Sequence, residues 1–288
     1  MGDAAHVGSL DHDVYRTPYT VEPEIETWDT PENYREYPGG EDLPDTFKVW
    51  RVQNSGKDFG GVVARSYGFT DSPDAEVLAI GFNVGKEYGA VGIGRHGNFL
   101  QWGYASPPSQ MTEAGQKLFI NCIHYIKRFD GKLPLVRRES SSRMDTIRLA
   151  PIINQIADDQ KEFFLSQFSE SLYDCYHADP NGLTQYYREN LEWVYRDRVY
   201  CVDEDLKSLG IESNRTLETL EQLVDLRGNA EQAETAQRLL ERYTTEAFAS
   251  SQQWRQWFDA NKDRMFFSDV GGYKFFVMPE GYVTVRQE

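Results

Sequence analysis

The chain has no apolar run near the roughly 18 residues that a bilayer-spanning helix needs. Its first ten residues also lack the basic start and apolar stretch of a signal peptide. A membrane span is therefore not expected, and the cytoplasm is the default compartment. Cysteine is scarce: Cys122, Cys175 and Cys201 are an odd set in unrelated contexts, and no two of them form the C-x-x-C pair that zinc binding or redox exchange would use. Buried or idle thiols are the expectation. Positive charge is in deficit as well. The chain carries 30 Lys and Arg against 46 Asp and Glu, a formal net charge of -16, which repels phosphate backbones and anionic lipid heads. Nucleic acid is therefore not an expected partner.

Metal-ligand spacing is absent too. No H-E-x-x-H occurs, and His6, His12 and His124 are isolated. Cys175 and His177 could supply two ligands, but nothing at a recognisable spacing supplies the rest. No metal and no cofactor are expected.

What the chain does have is a globular composition, with 40% hydrophobic and 14% aromatic residues. At 288 residues it is long enough for two cores. Asp11 to Asp45 is rich in Pro, Glu, Asp and Tyr and reads as extended and loop-like, ending at Pro38-Gly39-Gly40. Short apolar runs then follow at Phe47–Val52, Gly61–Arg65, Glu76–Phe82, Ala90–Gly94 and Asn98–Tyr104, each bounded by turn residues, and they read as strands. Arg95-His96-Gly97 joins the last two as a hairpin connection. A helix follows Pro107-Pro108, capped by Thr112, with Leu118, Phe119, Cys122, Ile123 and Ile126 as its apolar stripe.

Lys127 to Arg148 is a basic break in an acidic chain, and it places a boundary between residues 1–138 and 139–288. The second part reads as helices. Leu149 to Phe168 marks one, Leu183, Tyr187, Leu191 and Val194 a second, and a pair turns at Gly228-Asn229. Trp254, Trp257 and Phe258 begin a last helix, followed by strand-like Tyr273–Met278 and Tyr282–Val285 as a hairpin-like tail. The aromatic residues gathered there read as a core rather than an interaction face.

The stretch from Ala90 through Tyr104, AVGIGRHGNFLQWGY, continues after a turn into Met111-Thr112-Glu113-Ala114-Gly115-Gln116-Lys117-Leu118-Phe119-Ile120-Asn121. It resembles the closing strands and final helix of class I glutamine amidotransferase-like domains, in particular the trehalose-utilisation-protein-like (ThuA-like) branch found in bacteria. The resemblance spans roughly residues 10–130. It implies a flavodoxin-like α/β sandwich, here partial and with a small sheet, followed by an all-helical domain with a short β tail. Little chain precedes the matched region, so the expectation is the C-terminal part of a longer protein, with the second face of the sheet covered by the N-terminal stretch, the helical part or another chain. Catalytic members use a cysteine on a sharp strand-to-helix turn, and none of the three cysteines here has that setting.

Gly92-Ile93-Gly94-Arg95-His96-Gly97 spells G-x-G-x-x-G, but the last glycine leads into a strand-like run instead of opening a helix, so dinucleotide binding is rejected. Arg95 and His96, with Trp102 and Tyr104 on the following strand, form the best ligand-facing constellation, suited to a sugar or a carboxylate. The alternative is that His96 caps a turn and Trp102 packs in the core. Asp71, Asp74 and Glu76 crowd one loop; Asp71 and Asp74 are added as candidate ligand contacts, with solvated turn residues as the alternative. Asn214-Arg215-Thr216 is a glycosylation sequon, and Asn214 serves equally as a helix-entry residue. No catalytic residue is assigned. Two functions stay open: a non-catalytic binding or assembly module with a protein partner or a second copy, and a carbohydrate-active or amide-cleaving hydrolase.

Overall fold

The computed structural model describes residues 1–282 except Ser9, Pro38, Asp58 and His177, and for Ala150, Pro151, Asn154, Gln155 and Tyr173 it describes the backbone alone. The fold is mixed α/β. The described residues divide into two compact units, residues 1–135 and residues 136–282.

In the first unit the elements run β1 (Ala4–His6), β2 (Ile25–Asp29), α1 (Glu32–Arg35), β3 (Thr46–Arg51), α2 (Tyr67–Thr70), β4 (Ala75–Ile80), β5 (Val91–His96), β6 (Phe99–Trp102) and α3 (Glu113–Ile126). β3 lies between β1 and β2, and β5 between β4 and β6. An Ala5–Gly81 bridge and the bond from Phe82 N–H to the Ala4 carbonyl tie β1 to the chain leaving β4. Every strand pair is antiparallel. A flavodoxin-like sheet is built from parallel strands joined by crossovers, and the described residues form no such pair. Gly61–Arg65, expected as a strand, makes only single bridges at Gly61 and Ala64.

Asp11–Asp45 is less loop-like than its composition suggests, because it contains β2, paired with β3 from Ile25↔Trp50 to Asp29↔Thr46. The β5–β6 hairpin forms, but Arg95 and His96, expected in its connection, belong to β5; His96↔Phe99 is the last pair and Gly97-Asn98 makes the turn. Gly97 takes φ 55, the left-handed first turn position that a two-residue hairpin loop fills with glycine. Thr112 caps α3 by accepting from the Gly115 N–H. Gly115 itself lies so close to β3 that an added Cβ would strike the Val52 carbonyl.

Strand alternation divides the packing between two faces. Ala5 and Trp50 join Leu78, Ile93, Leu118 and Cys122 in the core under α3. His6 turns to the opposite face, where Tyr34, Phe47, Phe82 and Tyr88 surround it with ring centroids 4.9–5.7 Å away. Tyr34 comes from α1, so the N-terminal stretch covers that face. The α3 stripe is rotated from its expected position: Leu118, Asn121, Cys122 and Tyr125 are buried, whereas Ile123 is 54% exposed.

The second unit contains α4 (Met144–Gln155), α5 (Asp158–Leu165), α6 (Glu170–Tyr176), α7 (Pro180–Glu189), β7 (Val194–Asp197), β8 (Val199–Val202), α8 (Glu204–Ser208), α9 (Leu217–Leu226), α10 (Ala233–Tyr243), α11 (Ser251–Asn261), β9 (Met265–Ser268) and β10 (Lys274–Val277). It is not all-helical before its tail. Val194 opens a strand, and β7 pairs with β8 around Arg198, which takes φ 62. The helix expected over Leu149–Phe168 is two helices, broken where Ile156 is extended. In the tail, β10 pairs with the earlier Met265–Ser268; of the Tyr282–Val285 strand, residues 283–285 lie outside the described residues.

Two cores result. Ile153, Phe168, Leu183, Tyr187 and Tyr200 build one, and Leu220, Leu239, Tyr243, Trp254 and Phe258 build the other. The terminal aromatics therefore serve as core. Within the basic break, Arg143 is buried and holds Asp269 with both ends of its guanidinium, Nε at 3.0 Å and Nη2 at 2.7 Å.

Candidate functional site

Arg95 and His96 are neighbours on β5, so they face opposite sides of the sheet. The structure separates them accordingly. Arg95 pairs across the strand with Glu76 of β4 and is 1% exposed. Its Nη2 donates to Glu76 Oε1 at 2.5 Å and its Nη1 to the Gly97 carbonyl at 2.9 Å, while the guanidinium lies 3.7 Å from the Phe129 ring centroid. Tyr125 of α3 donates to Glu76 Oε2 at 2.6 Å, and His12 Nε2 stands 3.6 Å from the same oxygen. Burial alone would raise the Glu76 pKa. The bonds from His12, Arg95 and Tyr125 outweigh it and hold the carboxyl at about 2.

His96 is half-buried on the other face, with Nε2 3.4 Å from Asp74 Oδ1. Asp74 is buried and also accepts from Ser72 Oγ at 2.5 Å and from the Leu135 N–H at 2.8 Å. Burial pushes its pKa up, and the nearby His96 imidazole with the hydrogen bonds from Ser72 and Leu135 brings it below the ordinary carboxylate value. Ser72, Asp74 and His96 do not form a nucleophile triad. The carboxylate sits between serine and histidine, so the imidazole has no serine proton to take.

Trp102 and Tyr104 pack inward. Tyr104 is buried and donates to the Ala4 carbonyl at 3.1 Å; Trp102 lies against Tyr104 and Phe119, with centroids at 5.7 and 5.0 Å. Asp71 ends α2, half-buried, three positions ahead of Asp74. Of the six candidate contacts, His96 and Asp74 are brought together as a polar pair and Trp102 and Tyr104 as a ring pair, the latter inside the core. The G-x-G-x-x-G run lies along β5 into its turn.

Cys122 and Cys201 are poorly placed as nucleophiles, since a thiolate is the reactive form. Burial pushes Cys122 up to about 12 and raises Cys201; Cys175 is exposed. Its suggested co-ligand His177 lies outside the described residues. Among the described residues no group of three or more His, Cys, Asp or Glu could hold a metal ion. The sequon asparagine is structural: buried Asn214 donates to the Val194 carbonyl at 2.8 Å and accepts from Arg143 Nη2 at 2.9 Å.

A site that sequence reasoning missed is a cleft of about 660 Å³ beside β2, whose charged lining is Glu22, Glu24, Glu26, Arg51, Glu113 and Lys117. Arg51 binds Glu26 at 2.8 Å and Lys117 binds Glu113 at 2.8 Å. The Trp28 indole also donates to Glu26, and this bond, with Arg51, depresses the Glu26 pKa; Lys117 depresses that of Glu113. A general acid working near neutrality needs a raised carboxyl pKa, so these two are tuned the wrong way for that role. The signal that could have found the cleft is the alternation of Glu22, Glu24 and Glu26, which a strand edge would align. No family model matches the chain, and no curated protein or solved structure matches it either.

Proposed function

We propose that the chain is a non-catalytic binding or assembly module. In this reading a degenerate ThuA-like unit, resembling that family in the residues that form β5, β6 and α3, is joined to a mainly helical second unit. The observation that supports this most is the engagement of Arg95, Glu76 and Asp74. The side chains best suited to chemistry are buried and bonded to one another or to backbone, so they hold the fold and do not face a substrate. The large cleft is lined by carboxylates and cations that favour an ionic ligand over bond cleavage. A protein partner or a second copy of the chain is the proposed ligand class. Sedimentation of the purified chain, alone and with candidate partners, tests this: self-association or a stable complex is expected, and a strict monomer that retains nothing would overturn it.

A further inference from the structure

β2 is the outermost strand of its sheet. Antiparallel pairing alternates between residues that exchange backbone bonds with the neighbour and residues whose N–H and C=O point away from it. The Thr30 N–H donates to the Asp45 carbonyl, so Thr30 is a bonded position and, two by two, so are Trp28 and Glu26. The backbone groups of Ile25, Thr27 and Asp29 therefore point away from β3, and all three residues are exposed. No other described segment bonds to that edge.

An open edge is a template for another strand, and chains commonly guard such edges with charge. Here the guard has one sign. Glu22, Glu24, Glu26 and Asp29 lie along or just before β2, and another copy's β2 would bring the same charges opposite. The cleft adjoining the edge is incompletely neutralised. Its two cations are bound to Glu26 and Glu113, which leaves Glu22 and Glu24 exposed and, among the described residues, without a direct ion pair, although Lys117 lies near enough to feel the Glu22 charge.

We propose that the β2 edge and this cleft bind an extended, Lys- or Arg-bearing segment of a partner protein by strand addition. The segment's backbone pairs with Ile25, Thr27 and Asp29, and its basic side chains meet Glu22 and Glu24. This rests on the reading of the chain as a binding module and names the chemistry of its partner. Backbone pairing supplies affinity; the carboxylates select for positive charge and against a second copy.

The test uses a fluorescein-labelled synthetic peptide of alternating Lys and Val with blocked ends, and a Glu/Val peptide as control, titrated with the full chain in anisotropy. The Lys peptide is expected to bind and the Glu peptide not to. Thr27→Pro removes an outward N–H that the sheet does not use and blocks the edge; it should weaken binding roughly tenfold or more. Glu22→Lys with Glu24→Lys changes two exposed side chains without direct ion pairs and should weaken it at least as much, with the thermal midpoint retained. Equal binding of both peptides, Lys-peptide binding unchanged by either variant, or no binding overturns the site. Self-association lost in Thr27→Pro would assign the edge to a second copy and also overturn it. Failure of the module reading is separately visible as substrate turnover by the same preparation.

Discussion

Glu76 and Arg95 face each other across the β4–β5 pair, 2.5 Å apart and both almost wholly removed from solvent. The guanidinium is backed by Phe129 and the carboxylate by Tyr125, so each charge depends on the other for compensation. Removing one member leaves a buried charge without its counter-ion, which costs about 3–5 kcal/mol. Arg95→Met should therefore lower the unfolding free energy by that order in urea melts, and the further change Glu76→Gln should recover part of it. Arg95→Met with wild-type stability would show that the pair does not hold the sheet.

Acid should weaken the first unit in two separable windows. His6 is held at about 4 by burial, below its ordinary 6.5. Between those values the unfolded chain binds the proton and the folded chain does not, so stability falls as pH drops from 6.5 towards 4. Glu76 is depressed from 4.5 to about 2, so its contribution is present above 4.5 and is lost as pH falls towards 2. Chemical denaturation at stepped pH should show both declines, and His6→Phe should flatten the upper one alone.

Gly97 turns the β5–β6 hairpin at φ 55, with the backbone of Lys132 and Pro134 where a side chain would begin. Gly97→Ala should be destabilising by about 1–3 kcal/mol in thermal unfolding, since it combines a left-handed backbone with a close contact. An unchanged midpoint would mean that the turn relaxes freely.

The hairpin and the α3 cap were legible because they depend on local chemistry: Gly97 at a turn, Thr112 three residues before Gly115. β2 was not. Both its faces are partly wet and its exposed positions alternate out of phase with any apolar pattern, so Glu24-Ile25-Glu26 reads as loop. β7 and β8 were hidden because Leu183, Tyr187, Leu191 and Val194 keep helical spacing through Asn190, where the helix stops. The expected Arg95–His96 constellation overlooked strand alternation, which was available in the sequence. The cleft was available only in part: Glu22, Glu24 and Glu26 alternate in the sequence, but Arg51 from β3 and Lys117 from α3 are brought beside them only by folding.

The three thiols should separate by reactivity. Cys175 is exposed, Cys201 half-buried with a raised pKa, and Cys122 buried and pushed up to about 12. A chromogenic disulfide reagent at neutral pH should modify Cys175 first, Cys201 slowly, and Cys122 only when the chain unfolds. Early modification of Cys122 would contradict its place on the buried face of α3.

If the β5 residues serve binding architecture and not bond cleavage, a hydrolase panel will find the chain inert. Purified chain and His96→Ala are assayed side by side on ester, amide and glycoside substrates. His96 and Asp74 pair two ionisable candidate side chains, so acid–base chemistry at this end of the sheet would pass through them. No turnover above buffer is expected from either protein. Turnover by the wild-type chain that disappears in a folded His96→Ala variant would contradict the binding reading.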